Sequence, residues 1–496
     1  MTSSASNKDY AAQPIQPIQP IQGVISSEIQ LSGSKSITNR VLLLAALAQG
    51  RSVIKNILDA KDTRVMAAAL EQLGVKLKID WASGVAEIEG CGGCWPENSG
   101  LVDTYESGTA TRFLIPAVAA CGHGVYGFKA EPRMMDRPIE AQLKILEALG
   151  VNFKFEPNRP YAMPFLLETH GLCLEQGLNN INNINKINKI NVPIEASSQF
   201  LSGLMMVLPF IKINNLQLVA SEDLKNKPYI AMTQSLMESF GVKVEIGSDQ
   251  RTVSLVNNKI GRDHPVDLEL VGAEPVGNFK NIKNIKNIKN VDQGYQGYQA
   301  SDLMIEPDLS TASYFFALPA LLGGEILVKN IHRKKSLQGD IKFLDVLEKM
   351  GCVVTQEKQG VRVFKPKDQV LIGLERVDMK GFSDTFMTVA VLAAFADKPT
   401  TLTSLRHTRL QESDRILAME VGLNLLGIRT VSTEGSLTIF PEVGLIKAAV
   451  VDSFNDHRIA MSLSLIGLKI PGVKIKNSGA VSKTCPDFFV RLEKLV

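Results

Sequence analysis

Six times along this sequence, a cluster of small polar residues precedes a strongly apolar stretch of about ten residues. The six clusters with their stretches read SKSITNRVLLLAALAQG, ESGTATRFLIPAVAACG, EASSQFLSGLMMVLPF, PDLSTASYFFALPALLGG, FSDTFMTVAVLAAFADK and NDHRIAMSLSLIGLKIPG. After each comes a short β-type run and then an amphipathic helix, such as DTRVMAAALEQLG or GDIKFLDVLEKMG. A unit repeated at this size predicts α/β layers, with the apolar helices buried and the sheets outside them.

Five of the amphipathic helices end in a glycine, which is a common residue just after a helix C-terminus. These glycines are Gly74, Gly150, Gly241, Gly351 and Gly427. They are separated by 76, 91, 110 and 76 residues, so two of the gaps are longer than the bare unit. The longer gaps contain the tracts NNINNINKINKIN (179–191) and FKNIKNIKNIKNV (279–291). A period of three fits neither a helix nor a strand and asparagine favours turns, so both tracts are predicted to be loop insertions.

The starts of the apolar helices are the candidate functional positions. If three such helices pack in parallel, their N-termini emerge on one face with unpaired N–H groups and positive dipole ends. Small polar residues at these places are usual N-caps, and capping alone explains any single cluster. Cations also occur at these and at other element starts: Lys35, Arg40, Arg112, Arg133, Arg137, Arg415, His457, Arg458 and Lys483. Because a buried cation without a partner is costly, two such faces predict a small ligand carrying several phosphates or carboxylates.

A structural role is the alternative to ligand binding for RLQESDR (409–415), where Glu412 and Arg415 stand about one turn apart. Such a spacing is also typical of a surface ion pair on a helix. The sequence alone leaves both interpretations open.

Composition excludes several classes of protein. The formal net charge is +3, too small for a polycation that binds nucleic acid. The N-terminus lacks the apolar core of a signal peptide, and the longest apolar run, Val41 to Ala48, is too short to span a bilayer. Of six scattered cysteines, only Cys91 and Cys94 form a CxxC, without a second pair to complete a zinc site. A reduced, cytoplasmic protein is predicted.

Nine short motifs occur together in this chain: GSKSxxxR, SGTAxR, EPRMxxRPI, SSQFL, KPYI, QGD, ESDR, NDHRxAM and KTxPDF. Each is weak alone, but in this order the set is highly specific. Over roughly residues 23–496 the chain resembles the enolpyruvylshikimate-phosphate synthase family. The resemblance implies an α/β fold of two domains, each an inside-out α/β barrel of three βαβαββ-like repeats with buried parallel helices. The active site is then expected in the cleft between the domains.

The resemblance and the repeat spacing together predict the domain organisation. Residues 1–22 are expected to form a disordered tail, and residues 23–33 a strand that belongs to the C-terminal domain. The N-terminal domain, on the shikimate 3-phosphate side, is expected over 34–306 and contains both low-complexity tracts. The C-terminal domain, on the side of phosphoenolpyruvate and the catalytic carboxylate, is expected over 307–496.

The activity that the resemblance implies is transfer of the enolpyruvyl group of phosphoenolpyruvate to the 5-hydroxyl of shikimate 3-phosphate, with release of phosphate. It passes through a tetrahedral intermediate and belongs to chorismate and aromatic amino-acid biosynthesis. Each step needs a positioned acid or base and fixed cations on the phosphate. No metal or organic cofactor, nucleic acid or membrane is expected to take part, and the expected state is a monomer.

The resemblance also assigns residues. The catalytic candidates are Asp384, which would take the hydroxyl proton, with Glu412 and Lys35 for proton transfer at the enolpyruvyl carbon and the leaving phosphate. Phosphoenolpyruvate would be bound by Lys35, Gly108, Arg133, Gln199, Arg415, Arg458 and Lys483. Shikimate 3-phosphate would be bound by Lys35, Ser36, Arg40, Ser197, Ser198, Gln199, Tyr229, Asp384 and Gln411. Which group performs each proton transfer stays open.

The chain departs from the family pattern near the shikimate phosphate. The usual lysine before the site glutamate is Gln411, and an asparagine four residues earlier is His407. Loss of a cation there should weaken binding unless Arg409 or His407 compensates. Farther along the cleft, the usual Asn-Ala or Asp-Ala before GTA is Glu106-Ser107.

Two other functions compete with this one. The sister enzyme that transfers enolpyruvyl to a UDP-amino sugar uses a Lys-Asn pair and a loop cysteine, whereas here Ser36 follows Lys35 and only Cys121 lies between Gly108 and Arg137. Nucleic-acid binding is suggested by the repeat architecture and the lysines of the second tract. That tract has no aromatic side chain apart from its first residue and no arginine, so stacking on bases is not favoured.

Overall fold

The computed structural model describes residues 15–21, 23–172, 189–194, 197–211, 213, 215–224, 227–256 and 297–495. Its helices are, in chain order, α1 (Lys35–Leu47), α2 (Lys61–Gln72), α3 (Gly108–Cys121), α4 (Pro132–Met135), α5 (Glu140–Ala148), α6 (Gln199–Val207), α7 (Pro228–Ser239), α8 (Leu309–Leu322), α9 (Phe343–Lys349), α10 (Phe386–Ala393), α11 (Arg415–Leu425), α12 (His457–Gly467) and α13 (Phe488–Glu493). The first helices of the six repeats are, in order, α1, α3, α6, α8, α10 and α12. These six are buried over almost their whole lengths, as expected for helices that are apolar on all sides.

The strands are β1 (Ile15–Pro17), β2 (Ile25–Ile29), β3 (Gln49–Lys55), β4 (Lys76–Asp80), β5 (Val85–Cys91), β6 (Ser99–Asp103), β7 (Gly124–Lys129), β8 (Asn152–Phe155), β9 (Phe165–Thr169), β10 (Lys189–Val192), β11 (Gln217–Ala220), β12 (Val244–Ile246), β13 (Thr252–Leu255), β14 (Leu303–Met304), β15 (Gly324–Lys329), β16 (Val353–Gln356), β17 (Gly360–Lys365), β18 (Arg376–Asp378), β19 (Thr400–Thr403), β20 (Thr430–Ser432), β21 (Leu437–Ile439), β22 (Val450–Asp452) and β23 (Lys474–Lys476). The five predicted C-terminal glycines all have positive φ angles, between 85° and 98°, the left-handed conformation that ends a helix.

The strands form one small sheet per repeat, and the sheets share a topology. In the second repeat, β6 and β7 are parallel, while β9 and then β8 continue the sheet antiparallel. The sheets β14-β3-β5-β4, β10-β11-β13-β12, β2-β15-β17-β16 and β18-β19-β21-β20 have the same order and directions. The sixth sheet is β22-β23-β1, in which β1 takes the place of the first antiparallel strand.

Two hydrophobic cores divide the chain. One runs from Ile37 to Ile305, and the other combines Ile18 to Leu31 with Leu309 to Leu492. Strands β1 and β2 therefore pack with the second core, although they precede the first domain in sequence. The chain crosses between the domains twice, next to Gly33 and next to Pro307, and these two residues form an antiparallel bridge. The crossings thus lie side by side and form a double connection between the domains.

The structure differs from the sequence prediction in two places. Residues 15–21 are not a disordered tail, because β1 pairs with β23 and Ile18 lies in the second core. The end of the first triplet tract is not a loop, since Lys189–Val192 pairs in parallel with β11. The rest of that tract up to residue 188, all of the second tract and residues 1–14 lie outside the described residues. Over the described ranges, no helix is both long and apolar enough to cross a membrane.

The segment of residues 15–21 should contribute measurably to stability. Ile18 is 6% exposed, and its side chain packs against Gly467 of α12. Replacing Ile18 with alanine should lower the free energy of unfolding by about 2–4 kcal/mol, because a buried cavity is left. Urea unfolding followed by circular dichroism measures this. Val24→Ala is the control, since Val24 is 54% exposed and should change stability by about 0.5 kcal/mol or less. Equal stability of the two variants would mean that residues 15–21 do not pack in solution.

Candidate active site

A cavity opens between the two domains where the helix starts of each face the other. The first domain lines it with residues that include Asp62, Ser107, Arg133 and Arg137. The second domain contributes residues that include Gln411, Glu412 and Lys483. Side chains at several helix starts cap them, since Ser107, Asp308, Asp414 and Asp456 each accept a backbone N–H of their own helix. The capping interpretation is therefore correct for those residues, but it leaves the cations of the cleft unexplained.

Asp384 is a carboxylate of the cleft that pairs with two arginines and a tyrosine. It lies in the short 3-10 turn Ser383–Thr385 that leads into α10. Arg415 Nη1 donates to its Oδ1 at 3.0 Å and Arg458 Nη2 to its Oδ2 at 2.9 Å. The hydroxyl of Tyr229, from the other domain, donates to Oδ2 at 3.0 Å. Burial alone would raise the pKa of Asp384, but Arg458 and Arg415 outweigh it and hold the pKa well below its usual range.

Arg415 is fixed between two carboxylates. Besides Asp384, its Nε donates to Asp456 Oδ2 at 2.8 Å, and both Arg415 and Asp456 are buried. Asp456 also accepts from the backbone N–H of Arg458 at 2.9 Å, so it caps α12 and aligns both arginines. The sequence predicted Arg415 and Arg458 as site residues but missed Asp456, although the aspartate stands in the NDHR motif.

Glu412 lies opposite Lys483 and His457. Lys483 Nζ is 3.1 Å from Glu412 Oε1, and His457 Nδ1 is 2.7 Å from Oε2. Burial opposes ionisation of Glu412, but His457 and Lys483 together lower its pKa well below the usual value. Potential metal-ligand atoms of Glu412, Asp456 and His457 lie within 4.8 Å of one another. Both carboxylates are already paired with a cation, however, so we assign this group to the ion-pair network.

Lys35 and Arg133 connect the domains at the rim of the cleft. The backbone N–H of Lys35, the first residue of α1, donates to Asp308 Oδ2 at 3.1 Å, and its Nζ lies 3.5 Å from Asp62. Arg133, in the short helix α4, contacts the backbone carbonyl of Glu412 through Nη2. Lys35 and Arg133 therefore lie where a ligand in the cleft would touch both domains.

Arg40 is a buried cation without a carboxylate partner among the described residues. Its donors go to Thr233 Oγ1 at 2.8 Å, to Ser202 Oγ at 3.2 Å and to the carbonyl of Ser36 at 3.0 Å. Its guanidinium also lies over the rings of Phe113 and Tyr229. Burial lowers the pKa of Arg40 to about 10. A buried cation that is satisfied only by neutral groups is suited to bind an anion.

The remaining predicted residues of the first domain meet at the starts of α3 and α6. Gln199 accepts from Arg112 Nη1 at 2.7 Å and donates to Thr109 Oγ1 at 3.0 Å, so it joins the two helices. Ser197 Oγ accepts from the backbone N–H of Gln199 at 3.2 Å, and Ser198 is the N-cap residue of α6. Gly108 is the first residue of α3. Gln199 and its neighbours therefore link the starts of α3 and α6.

The departures from the family pattern also have defined positions. Gln411 Oε1 accepts from Arg415 Nη1, and His407 Nε2 is 2.8 Å from Ser383 Oγ, beside Asp384. Arg409 forms a 2.6 Å pair with Asp414 and donates to the carbonyls of residues 433 and 434. Because Arg409 is already bound elsewhere, His407 is the better placed of the two candidates to replace the missing lysine. Burial lowers the pKa of His407, so any such charge would depend on the ligand.

A carboxylate that the sequence interpretation did not assign is Asp340, in the QGD motif. It is buried, accepts a hydrogen bond from Ser310 Oγ, and interacts electrostatically with Asp384. Burial, followed by the charge of Asp384, raises the pKa of Asp340 to about 7. A site of this kind is not visible in a sequence motif, because it depends on which acids the fold brings together.

Asp340 gives a prediction on stability against pH. An aspartate ionises near pH 4 when unfolded, so between about pH 4 and 7 the folded protein holds a proton that the unfolded chain lacks. The contribution of Asp340 to stability should therefore fall as the pH rises through this window. Relative to Asp340→Asn, the unsubstituted protein should lose stability from pH 5 to pH 8 in urea unfolding. The exposed control Asp368→Asn should show the same pH dependence as the unsubstituted protein. If the free energies of unfolding of Asp340→Asn and of the unsubstituted protein differed by the same amount at every pH, the raised pKa would be contradicted.

A family model, curated relatives and a solved structure all match this chain to the same protein family. A family model described as EPSP synthase (3-phosphoshikimate 1-carboxyvinyltransferase) matches residues 18–267 and 281–492. A 3-phosphoshikimate 1-carboxyvinyltransferase from Nostoc punctiforme is 35% identical over 475 residues, which cover 95% of this chain and 97% of the relative. One from Paraburkholderia phytofirmans is 37% identical over 479 residues, covering 95% and 96%. The solved structure of EPSP synthase from Acinetobacter baumannii shares the fold, with a TM-score of 0.72, 20% identity and 97% of each chain covered.

Proposed function

The chain belongs to the EPSP synthase family, whose members transfer an enolpyruvyl group in aromatic amino-acid biosynthesis, and we propose a specific chemical role for each side of its cleft. In this proposal the enolpyruvyl group of phosphoenolpyruvate is transferred to the 5-hydroxyl of shikimate 3-phosphate. The observation that supports it most directly is Asp384, a carboxylate fixed by Arg415 and Arg458 of one domain and by Tyr229 of the other.

The reaction needs two stages whose atoms balance. In the first, the 5-hydroxyl oxygen bonds to C2 of phosphoenolpyruvate, loses its proton to a base, and C3 gains a proton to become a methyl group. In the second, C3 returns a proton and the C2–O bond to phosphate breaks, which releases inorganic phosphate and restores the double bond. Each stage gains from a fixed acid or base and from cations on the departing phosphate.

We propose that Asp384 is the base that removes the proton of the 5-hydroxyl of shikimate 3-phosphate. While Arg415 and Arg458 pair with it, its lowered pKa makes it a weak base. The carboxylate of phosphoenolpyruvate can compete for the same two arginines, since bidentate pairing with arginine is favourable for any carboxylate. Binding of this substrate would then free Asp384 and raise its pKa at the moment when a base is required. Glu412 and Lys35 are the proposed groups for the proton on C3 and for the leaving phosphate.

The binding residues follow the same division. For phosphoenolpyruvate we propose Lys35, Gly108, Arg133, Gln199, Arg415, Arg458 and Lys483. For shikimate 3-phosphate we propose Lys35, Ser36, Arg40, Ser197, Ser198, Gln199, Tyr229, Asp384 and Gln411. Arg40 supports the second set, because its buried guanidinium lacks an anionic partner among the described residues and lies beside Tyr229.

A single assay tests the function. Release of inorganic phosphate from phosphoenolpyruvate should depend on shikimate 3-phosphate and should not occur with a UDP-amino sugar as acceptor. Release with the sugar alone would support the sister activity.

A gel-shift titration at low and moderate salt tests the nucleic-acid hypothesis, for which steep salt dependence is expected. We also propose a cytoplasmic, monomeric enzyme, with support for the location from the five described cysteines, which are free thiols.

A further inference from the structure

Two arginines of the first domain meet at the start of α3 without a carboxylate partner in the described part of the chain. Arg112 lies one turn inside the helix and is 4% exposed, and Arg137 follows α4 and is half-buried. The Nε atoms of both are buried and lack a hydrogen-bond partner among the described residues. Their other contacts are neutral: Arg112 Nη1 donates to Gln199 Oε1 at 2.7 Å, and Arg137 Nη1 reaches Met134 Sδ at 3.8 Å.

Both guanidinium groups lie against the backbone of Gly108. A Cβ atom built on Gly108 would stand 2.5 Å from Arg137 Nη1, 2.9 Å from its Cζ and 3.2 Å from Arg112 Nη1. Burial first, and the charge of Arg137 second, lower the pKa of Arg112 to about 9. Two cations held together at the positive end of a 14-residue helix repel each other, and an anion between them would remove that cost.

The position of Arg137 indicates which anion this is. Arg137 lines the cleft cavity together with Ser107, Arg133 and Lys483. It is also near enough to Lys483 to act on its charge. Two arginines and a helix N-terminus at Gly108, with Arg133 and Lys483 lining the same cavity, suit a phosphate dianion better than a single carboxylate.

We propose that Arg137 binds the phosphate group of phosphoenolpyruvate, and that residue 108 must be glycine because the Arg137 side chain lies across it. This rests on the proposed function for the identity of the ligand. Arg137 is thus a specificity residue for one substrate. Gly108, which the proposed function places in the phosphoenolpyruvate set, contributes to that set through Arg137 and not through its own contact with the substrate. The alternative is a structural role, in which Arg137 only fixes α4 through Met134.

The first test separates the two substrates. Arg137→Gln should raise the KM for phosphoenolpyruvate by about 10- to 100-fold, the usual effect of losing a hydrogen bond to a charged group. The KM for shikimate 3-phosphate should change by less than about threefold, and Arg137→Lys should recover part of the loss, because it keeps the charge. Arg159→Gln is the control: Arg159 contacts Met135 and Asp136 beside the same helix but is not among the residues that line the cleft cavity. Equal changes in both KM values, or none, would overturn the proposal.

The second test asks whether Gly108 acts through Arg137. Gly108→Ala should raise the KM for phosphoenolpyruvate about tenfold when Arg137 is present, because the new methyl group displaces the guanidinium. In an Arg137→Ala background the same change should cost about twofold or less, since the space is free. An equal cost in both backgrounds would mean that Gly108 meets the substrate directly, and that part of the proposal would be wrong.

The third test does not depend on turnover. Calorimetric titration of the full chain with inorganic phosphate should show binding that weakens about tenfold or more in Arg137→Gln and is unchanged in Arg159→Gln. Unchanged phosphate affinity in Arg137→Gln, or no binding by the unsubstituted protein, would overturn the proposal. If phosphate binding depends on Arg137 but phosphoenolpyruvate is never turned over with shikimate 3-phosphate, the proposed function fails and the anion site remains.

Discussion

Asp384→Ala should lower kcat for phosphate release by about two to four orders of magnitude, because the hydroxyl of shikimate 3-phosphate loses its base. The KM for phosphoenolpyruvate should stay the same or fall. Arg415 and Arg458 now pair with Asp384, and without it they are free to bind the substrate carboxylate. Steady-state kinetics with each substrate varied in turn measures both effects.

Two further variants make this result specific. Asp384→Asn keeps the size of the side chain but cannot accept the proton, so it should lose turnover to a similar extent. Glu375→Ala removes an exposed carboxylate just before β18 and should leave kcat within about twofold, as surface changes usually do. Near-normal turnover in either Asp384 variant would exclude this residue as the base.

Arg415→Met should damage both stability and binding. Asp456 is fully buried and would lose its ion-pair partner, a change that costs about 3–5 kcal/mol when one member of a buried pair is removed. The KM for phosphoenolpyruvate should rise by about 10-fold or more, because one of the two arginines proposed to hold its carboxylate is lost. Urea unfolding and steady-state kinetics on the same preparation give the two values.

A paired design separates charge from shape in this experiment. Arg415→Met combined with Asp456→Asn removes both charges and should regain part of the lost stability. Arg429→Met is the exposed control: Arg429 pairs with Glu442 at 3.4 Å on the surface and should cost about 1 kcal/mol or less. If Arg415→Met were as stable as Arg429→Met, the buried network would not support the fold.

The helices of this fold could be predicted from local sequence. The first helix of each repeat is apolar on all sides, and the amphipathic helices end at glycines with positive φ angles. Each of these signals lies within a short stretch of sequence, so it can be recognised without knowledge of distant contacts. Strands β1, β10 and β14 could not be predicted in the same way. Strands β1 and β14 pair with strands distant in sequence. Strand β10 lies at the end of one low-complexity tract, β14 follows the other, and β1 belongs to a PIQ repeat.

The site shows the same limit. The cations Arg415, Arg458 and Lys483 were predicted from the resemblance, because their motifs are short and contiguous. Two buried acids were not predicted, since Asp456 and Asp340 gain their meaning only when the fold buries them beside Arg415 and Asp384. Arg137 stood among the cations at element starts, but only its position against Gly108 indicates what it binds.

The pairing of the N-terminal strands with the second domain has a consequence for the order in which the protein folds. Strand β2 pairs with β15 and β1 with β23, roughly 300 and 450 residues farther along the chain. At about 5–20 residues per second, the ribosome supplies these partners only after tens of seconds. The first domain, closed by β14, can be complete by then, whereas the second needs β1 and β2 to be still unpaired. Pro14, Pro17 and Pro20 lack a backbone N–H, and such prolines limit pairing with a wrong strand during that wait.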